Sequence, residues 1–316
     1  MILVISRDYD QSTSDVVEWL LKFKEKFILI NEYNYIKNIS YFQTQERARV
    51  TIETSLNEKI NFSDLNSIWY RRGNFYYSQT SRENKLKDFL DHDKKEWQIV
   101  NELLMQNLNE KFIIGDFFNK DTNKIKVLKV AAKKGLLIPS TLIANNKALV
   151  VKFFKNEKII NKTIGNVIHL NKDNYVYNNR TVEINVDDLP DNFFPSQFQK
   201  LIEKKYELRI FYINGKFFSS AIFSQNNEKT KIDFRNYDNK KPNRVVPYTL
   251  PKKIEIKLEK LMQELKLNTG SIDIMVTPNN DFYFLEVNPV GQFGMVSIPC
   301  NYNCEKYLAE TLIDNK

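Results

Sequence analysis

The stretch Ser271-Ile-Asp-Ile-Met-Val-Thr-Pro-Asn-Asn-Asp-Phe-Tyr-Phe-Leu-Glu-Val-Asn-Pro289 decides how the rest of the chain is read. Two apolar runs, Ile272 to Val276 and Phe282 to Val287, flank the turn-rich Thr277-Pro-Asn-Asn-Asp281, which predicts a β-hairpin. Side chains alternate faces along a strand, so Glu286 and Asn288 point one way and Val287 the other. If the turn closes where its residues suggest, Asp273 falls across from position 285 or 286. Three oxygen-bearing side chains then meet at one end of an otherwise apolar hairpin. A buried charge without a partner is costly. A hard cation such as Mg²⁺, which takes a few protein oxygens and completes its shell with water and phosphates, accounts for such a group. The competing reading is that Asp273 is a satisfied polar residue and that Glu286-Val-Asn-Pro289 ends a strand facing solvent.

The chain has 316 residues, enough for two or three subdomains, and its 42% hydrophobic and 27% charged content is that of a folded protein. No apolar run approaches the roughly 18 residues of a membrane span. Met1-Ile-Leu-Val-Ile-Ser6 reads as a first strand and lacks the basic start of a signal peptide, which predicts a cytoplasmic protein. Cys300 and Cys304 agree with a reducing compartment. Their spacing would put both on one helical face, as packing residues and not as a two-ligand zinc site. The net charge of +8 suits a polyanionic ligand such as a nucleotide, or an acidic peptide. No basic stripe interleaved with aromatics marks a nucleic-acid surface.

Residues 1–118 read as a small α/β unit. Ile2–Ile5, Phe27–Ile30 and Ser67–Tyr70 are strands, and Ser12-Thr-Ser-Asp15 supplies N-cap candidates for a helix with the stripe Val16, Val17, Leu20 and Leu21. A long helix is expected from about Asn84 to Asn107. No glycine-rich dinucleotide fingerprint follows the first strand. Beyond residue 118, Asn123-Lys124 begins a helix that should stop at Gly135, and Ile138-Pro-Ser-Thr141 enters extended. A short helix over Asn146–Phe154 and a strand over Ile159–Lys162 follow, then the loop Thr163-Ile-Gly-Asn166. Val186–Pro195, acidic and with two prolines, is expected to be irregular, before a strand at Ser196–Gln199. Asn214-Gly215 signals a hairpin turn inside Glu207–Ser219.

The polar residues in apolar settings are Lys162, Gln199, Glu207, Arg209, Arg235, Asp273, Glu286 and Asn288. Lysine, arginine and oxygen ligands together suit a transferring phosphoryl group and its metal. There is no P-loop and no kinase catalytic loop, and with only His92 and His169 and no Gly-x-Ser-x-Gly a nucleophile triad has little support.

The ordered series Asn123-Lys124, Ile138-Pro-Ser-Thr141, Lys162-Thr163, Phe198-Gln-Lys-Leu-Ile202, Glu207-Leu-Arg209, Asp273 and Glu286-Val-Asn-Pro-Val-Gly-Gln292 resembles the ATP-grasp ligase superfamily. Within it the chain is similar to the graspetide synthetases, which mature ribosomal peptides. Met1-Ile-Leu-Val-Ile-Ser-Arg-Asp8, Trp69-Tyr-Arg-Arg72, Asp233-Phe-Arg235 and Cys300-Asn-Tyr-Asn303 resemble the maturases of grasp-with-SPASM gene clusters. The resemblance spans nearly the whole chain. It implies an α/β (α+β) ATP-grasp fold: an N-terminal pre-ATP-grasp domain over 1–118, a central lid subdomain over 119–200, and a C-terminal antiparallel-sheet catalytic subdomain over 201–316.

Residue by residue, the resemblance implies ATP and Mg²⁺ as cofactors. Lys162 would contact the nucleotide phosphates, against the alternative of a surface lysine on an edge strand. Lys152 is a weaker candidate in a helical stretch, and a second nucleotide lysine common in the superfamily finds no match. The backbone of Gln199, Lys200 and Leu201 would meet adenine, with Lys204 a possible neighbour, and Glu207 would accept from the ribose hydroxyls. Arg209 and Arg235 would face the phosphates or an acyl-phosphate, with structural salt bridges as the alternative. Asp273, Glu286 and Asn288 would hold Mg²⁺, Asn288 standing also by the nucleotide. The substrate implied is a precursor peptide, with a leader read near Asp187, Asp188 and Asp191 unless that stretch is only a solvated loop. Arg71 and Arg72, at a strand end, could face its acidic core. The implied partners extend to a SPASM-domain protein from the same cluster and a second copy of the chain, with no nucleic acid and no membrane.

The activity implied is phosphorylation of Asp or Glu side chains of the peptide, then condensation with Ser/Thr hydroxyls or Lys amines into ester or amide macrocycles. Another ATP-grasp carboxylate–amine ligase would share the same nucleotide residues. A non-catalytic nucleotide- or peptide-binding module would have no reason to keep the trio Asp273, Glu286 and Asn288.

Overall fold

A computed structural model describes residues 1–77, 87–165, 169–172, 175–178, 181–225 and 242–315. The chain divides into two compact units. Met1–Lys120 with Gln292–Ser297 and Asn303–Lys316 form the first, and Asp121–Gly291 with Ile298–Tyr302 the second.

In the first unit β1 (Ile2–Ile5) leads through α1 (Gln11–Lys22) to β2 (Phe27–Ile30). An antiparallel sheet of β3 (Ile36–Gln43), β4 (Ala48–Thr54) and β5 (Lys59–Asn61) follows, then β6 (Ser67–Tyr70), α2 (Lys87–Gln106) and β7 (Phe112–Ile114). The parallel sheet runs β2-β1-β6-β7. Every residue of β1 and β6 is buried, as expected of parallel strands covered on both faces. The cap of α1 is Asp10, whose carboxylate accepts from the Thr13 amide at 3.0 Å, and not Ser12–Asp15 as the sequence suggested. The helix therefore starts earlier. It buries Ser12, Thr13, Val16 and Leu20 but leaves Leu21 60% exposed.

The second unit opens with α3 (Lys124–Lys133), capped by Asn123, and Gly135 follows at φ +79 in the left-handed region that ends helices. Then come β8 (Thr141–Asn146), α4 (Lys147–Phe154), β9 (Ile159–Lys162), the hairpin β10 (His169–Lys172) and β11 (Tyr175–Asn178), β12 (Val182–Ile184) and β13 (Asn192–Lys200). Sheet β12-β9-β13-β8 has its own small core of Ala144, Val150, Phe154, Ile159 and Phe198. The irregular stretch expected over Val186–Pro195 is shorter than that. One 3-10 turn covers Val186–Asp188, and Asn192–Pro195 already belongs to β13, whose register shifts between Asn192 and Ser196.

The larger sheet contains β14 (Tyr206–Ile213), β15 (Lys216–Phe223), β16 (Arg244–Pro247) and, after α5 (Lys252–Glu264), β17 (Thr269–Val276) and β18 (Phe282–Asn288). Its order is β16-β15-β14-β17-β18, antiparallel throughout. The β14–β15 turn is Asn214-Gly215, both at positive φ, as a two-residue hairpin turn requires. Helices α3 and α5 cover one face, burying Val127, Leu128, Leu258 and Leu261 against Leu208, Ile210, Ile272 and Ile274. The other face is left for chemistry.

The chain closes with α6 (Gly294–Cys300) and α7 (Cys304–Asp314). Cys300 and Cys304 are buried free thiols, but Asn301 and Asn303 between them have positive φ. The single helical face expected for the pair is therefore broken. Helix α7 returns to the first unit, where Ser67 donates to the Leu312 carbonyl at 2.8 Å. No described helix is long and apolar enough to cross a membrane.

Candidate active site

The site begins with the register of β17 and β18. Asp273 lies opposite Glu286, Ile272 opposite Val287 and Ser271 opposite Asn288, after which the register slips and Ile274 faces Phe284. Leu285 is therefore the extra residue of a β-bulge. In an unbroken strand Phe284, Glu286 and Asn288 would share a face. The bulge lets Phe284 and Val287 both enter the core while Glu286 and Asn288 turn to the other face.

Each acid meets a cation. Arg209 on β14 sits in register with Asp273 and forms an ion pair with it. Glu286 lies 3.3 Å from Lys124 Nζ, on the first residue of α3. Glu207, also on β14, is buried in an ion pair with Lys204. Two facing carboxylates repel, and Asp273 is only 7% exposed, so a counter-charge beside each acid offsets the cost of placing them together.

A cleft opens on this face. Lys162, Gln199 and Lys200 of the smaller sheet, with Leu201 after it, line the cleft together with Glu207, Asp273, Leu285 and Glu286 of the larger sheet, and Pro139, Ile160 and Met275 add apolar surface. Gln199 is buried and donates to Thr141 Oγ1 at 2.9 Å. Lys200 reaches out to Glu157 at 2.5 Å, and hydrogen bonding to that carboxylate raises its pKa. The amides of Lys200 and Leu201 donate to Ser140 and Lys158 carbonyls at 3.0 and 2.8 Å. Hinge contacts to a base through those two N–H groups would have to break these bonds.

No protein-family model matches the chain, and no curated protein matches it by sequence. Solved structures do. A RiPP-associated ATP-grasp ligase from Chryseobacterium gregarium, solved with ADP and a leader and core peptide, is 26% identical at a TM-score of 0.86, covering 100% of this chain and 97% of its own. The macrocyclase MdnC from Microcystis aeruginosa, bound with precursor peptide MdnA, is 25% identical at a TM-score of 0.79, with 99% of both chains covered. The D-Ala:D-Ser ligase VanG of Enterococcus faecalis shares the fold at 12% identity and a TM-score of 0.55. The chain is an ATP-dependent ligase with the ATP-grasp fold, similar to the graspetide synthetases.

In this ligase a metal would rest on Asp273, Glu286 and Asn288. Among the described residues no three His, Cys, Asp or Glu side chains are grouped so as to hold a metal ion, and the third donor beside the two acids would be the Asn288 amide oxygen. That all-oxygen, twice-negative set fits a hard cation that keeps much of its shell for water and phosphate. Asn288 is exposed two pairs beyond the two acids, and its Oδ1 accepts from the Val290 amide at 3.1 Å. Gly291 folds back here: a Cβ on it would come within 2.4 Å of Ser271.

The remaining expected residues lie elsewhere. Arg235, and Asn166 of the loop after Lys162, lie outside the described residues. Lys152 is exposed on α4. Asp187, Asp188 and Asp191 are exposed in the second unit, with Lys147 donating to the Asp187 carbonyl at 2.9 Å. Arg71 departs from the basic rim expected of Arg71 and Arg72. It is 4% exposed, with Nε 3.1 Å from Asp10, because it braces the cap of α1. Arg72, whose side chain is 30% exposed, reaches the same carboxylate at 3.2 Å. Lys124 carried no role in the sequence reading. The helix start at Asn123 was visible, but its acidic partner comes from β18, about 160 residues away, and nothing local signals that pairing.

Proposed function

We propose that this ligase matures a ribosomally made precursor peptide, closing side-chain ester or amide rings at the expense of ATP. The observation that carries the proposal is the opposition of Asp273 and Glu286 across a bulged strand pair, in a cleft that also holds Lys162 and Glu207. Mg²⁺ held by Asp273, Glu286 and Asn288 would neutralise charge on the ATP phosphates. Lys162, at a strand end, donates to phosphate oxygens, and Glu207 accepts from the ribose hydroxyls. Arg209 fixes the Asp273 carboxylate, and with Arg235 offers positive charge to the phosphoryl group in flight. Gln199, Lys200 and Leu201 wall the base, and residues 119–200 act as the lid.

A carboxylate oxygen of a peptide Asp or Glu attacks the γ-phosphorus in line as the bond to ADP breaks. A Ser/Thr hydroxyl or Lys amine of the same peptide then attacks the acyl carbon, phosphate leaves, and the nucleophile's proton passes to solvent or phosphate. Holding both groups on one bound chain makes the second step effectively intramolecular, and closure over the cleft keeps water from the acyl-phosphate. The leader docks at Asp187, Asp188 and Asp191, whose exposed carboxylates suit basic leader residues, beside Phe194, which is 86% exposed. Arg72 meets the acidic core. A SPASM-domain protein of the same gene cluster and a second copy of the chain are the further partners, and the cytoplasm the compartment.

The test is intact mass of the precursor peptide encoded beside the gene, after incubation with the ligase, ATP and Mg²⁺. Loss of one water per ring, absent with Glu286→Gln, is expected. A gain in mass would overturn the reading in favour of a ligase that adds residues to a chain.

A further inference from the structure

The first unit carries a separate cavity of about 630 Å³. It is lined by the segments that follow two parallel strands, Asn74–Tyr77 after β6 and Phe117–Lys120 after β7, and by the α2 side chains around Trp97. That is the edge of an open parallel sheet where strands end and loops diverge, and where such sheets bind ligands. The volume is in the range of pockets that enclose small molecules or side chains.

Its walls are aromatic and held in place. The Tyr77 and Trp97 rings lie 4.9 Å apart, and Phe117 meets Phe118 edge to face at 5.2 Å. The Trp97 indole N–H donates to the Phe75 carbonyl at 2.8 Å. The Asn101 side chain accepts from the Phe75 amide at 2.7 Å and donates to the Trp97 carbonyl at 3.0 Å. With its N–H already bonded, the indole offers a ring face. Two lysines line the cavity: Lys120 Nζ stands 4.0 Å over the Phe117 ring, and Lys94 lies 3.3 Å from Asp91. Glu102 is present too, accepting from the Gln98 amide at 3.3 Å. Phe118 is 47% exposed, more apolar surface than a closed core would leave.

We infer that this cavity takes an aromatic or other bulky apolar side chain, flanked by carboxylates, from the acidic peptide on which the ligase acts. The inference rests on the proposed function, because a ligase that activates side-chain carboxylates requires a peptide that carries them. Ring faces receive the apolar side chain, and the Lys120 ammonium, on a chain of net charge +8, receives an acidic neighbour. The nucleotide cleft uses none of these residues.

Fluorescently labelled Glu-Phe-Glu-Phe-Glu, Glu-Ala-Glu-Ala-Glu and Gln-Phe-Gln-Phe-Gln peptides, titrated by anisotropy against the full chain, test it. The phenylalanine-containing acidic peptide should bind about fivefold more tightly than its alanine counterpart, the difference one aromatic contact supplies. Phe118→Ala should erase that preference, and Lys120→Gln should weaken both acidic peptides but not the glutamine one. Equal binding of the two acidic peptides, or a preference that survives Phe118→Ala, would overturn the assignment. ADP titrated into the same preparations separates the two claims. Intact ADP binding without peptide preference sinks only the cavity, whereas absent ADP binding sinks the functional reading and leaves the peptide titration as the test of the cavity.

Discussion

Two arginine–carboxylate pairs, one just past the end of β6 and one in the middle of β14 and β17, do different work in this chain. Asp10 and Arg71 are both almost wholly buried, the carboxylate also accepts from the Thr13 amide and hydroxyl, and burial pulls the Arg71 pKa down to about 10. Every contact serves the start of α1. Asp273 and Arg209 are paired just as directly, but Asp273 lines a cleft and a second carboxylate, Glu286, faces it across the sheet. The two differ in place and not in residual charge. Asp10 is enclosed by two arginines, whereas Asp273 and Glu286, each with its own counter-ion in Arg209 and Lys124, stand together on a cleft wall where a ligand can reach them.

That contrast can be broken by mutation. Asp273→Asn or Glu286→Gln should cut peptide-dependent ADP release by about two to three orders of magnitude, the usual loss when charge stabilisation of a phosphoryl transfer is removed. Thermal melting of Glu286→Gln, whose partner Lys124 is more exposed, should move little. Asp10→Ala should do the reverse. It strands Arg71 and removes a helix cap, so unfolding in urea should show a loss of about 3–5 kcal/mol, while the protein that stays folded keeps its nucleotide affinity.

Deleting Leu285 sharpens the comparison. The ladder would become regular with Glu286 still opposite Asp273, so the fold should survive. Nucleotide affinity should drop roughly tenfold, or about 1.4 kcal/mol, because Leu285 lines the cleft. An unchanged affinity would show the bulge to be a packing device only.

The smallest effect belongs to an exposed pair. Lys134 holds Glu264 at 2.8 Å, and hydrogen bonding to that lysine lowers the Glu264 pKa. A lowered folded-state pKa means that the contribution is present above the ordinary carboxylate pKa and is lost as pH falls through the depressed value. Glu264→Gln should therefore differ from the parent in melting temperature only marginally near neutral pH, and not at all in strong acid or high salt.

The hairpin was legible because two apolar runs bracket five turn residues, and alternation alone brought Asp273 within one residue of its partner. The bulge that chose Glu286 was not, since it results from Phe284 and Val287 both being drawn into a core built by α3 and α5. Lys162, Gln199 and Glu207 were legible through motif order, and they do share one cleft. Arg71 and Arg72 are chemically alike in the sequence. Both reach Asp10, about sixty residues upstream, yet only Arg71 is enclosed, and nothing local in the sequence signals either the shared partner or the difference in burial. The β3–β5 sheet escaped notice because its buried positions, Ile36, Val50, Ile52 and Ile60, are diluted among polar residues.

The most direct test of the central claim is calorimetric titration of ADP with and without Mg²⁺, on the parent chain, Glu286→Gln and Asp10→Asn. The account predicts that Mg²⁺ tightens ADP binding in the parent and in Asp10→Asn, and that Glu286→Gln abolishes the tightening. Mg²⁺ dependence that persists in Glu286→Gln, or that is absent from the parent, would contradict it.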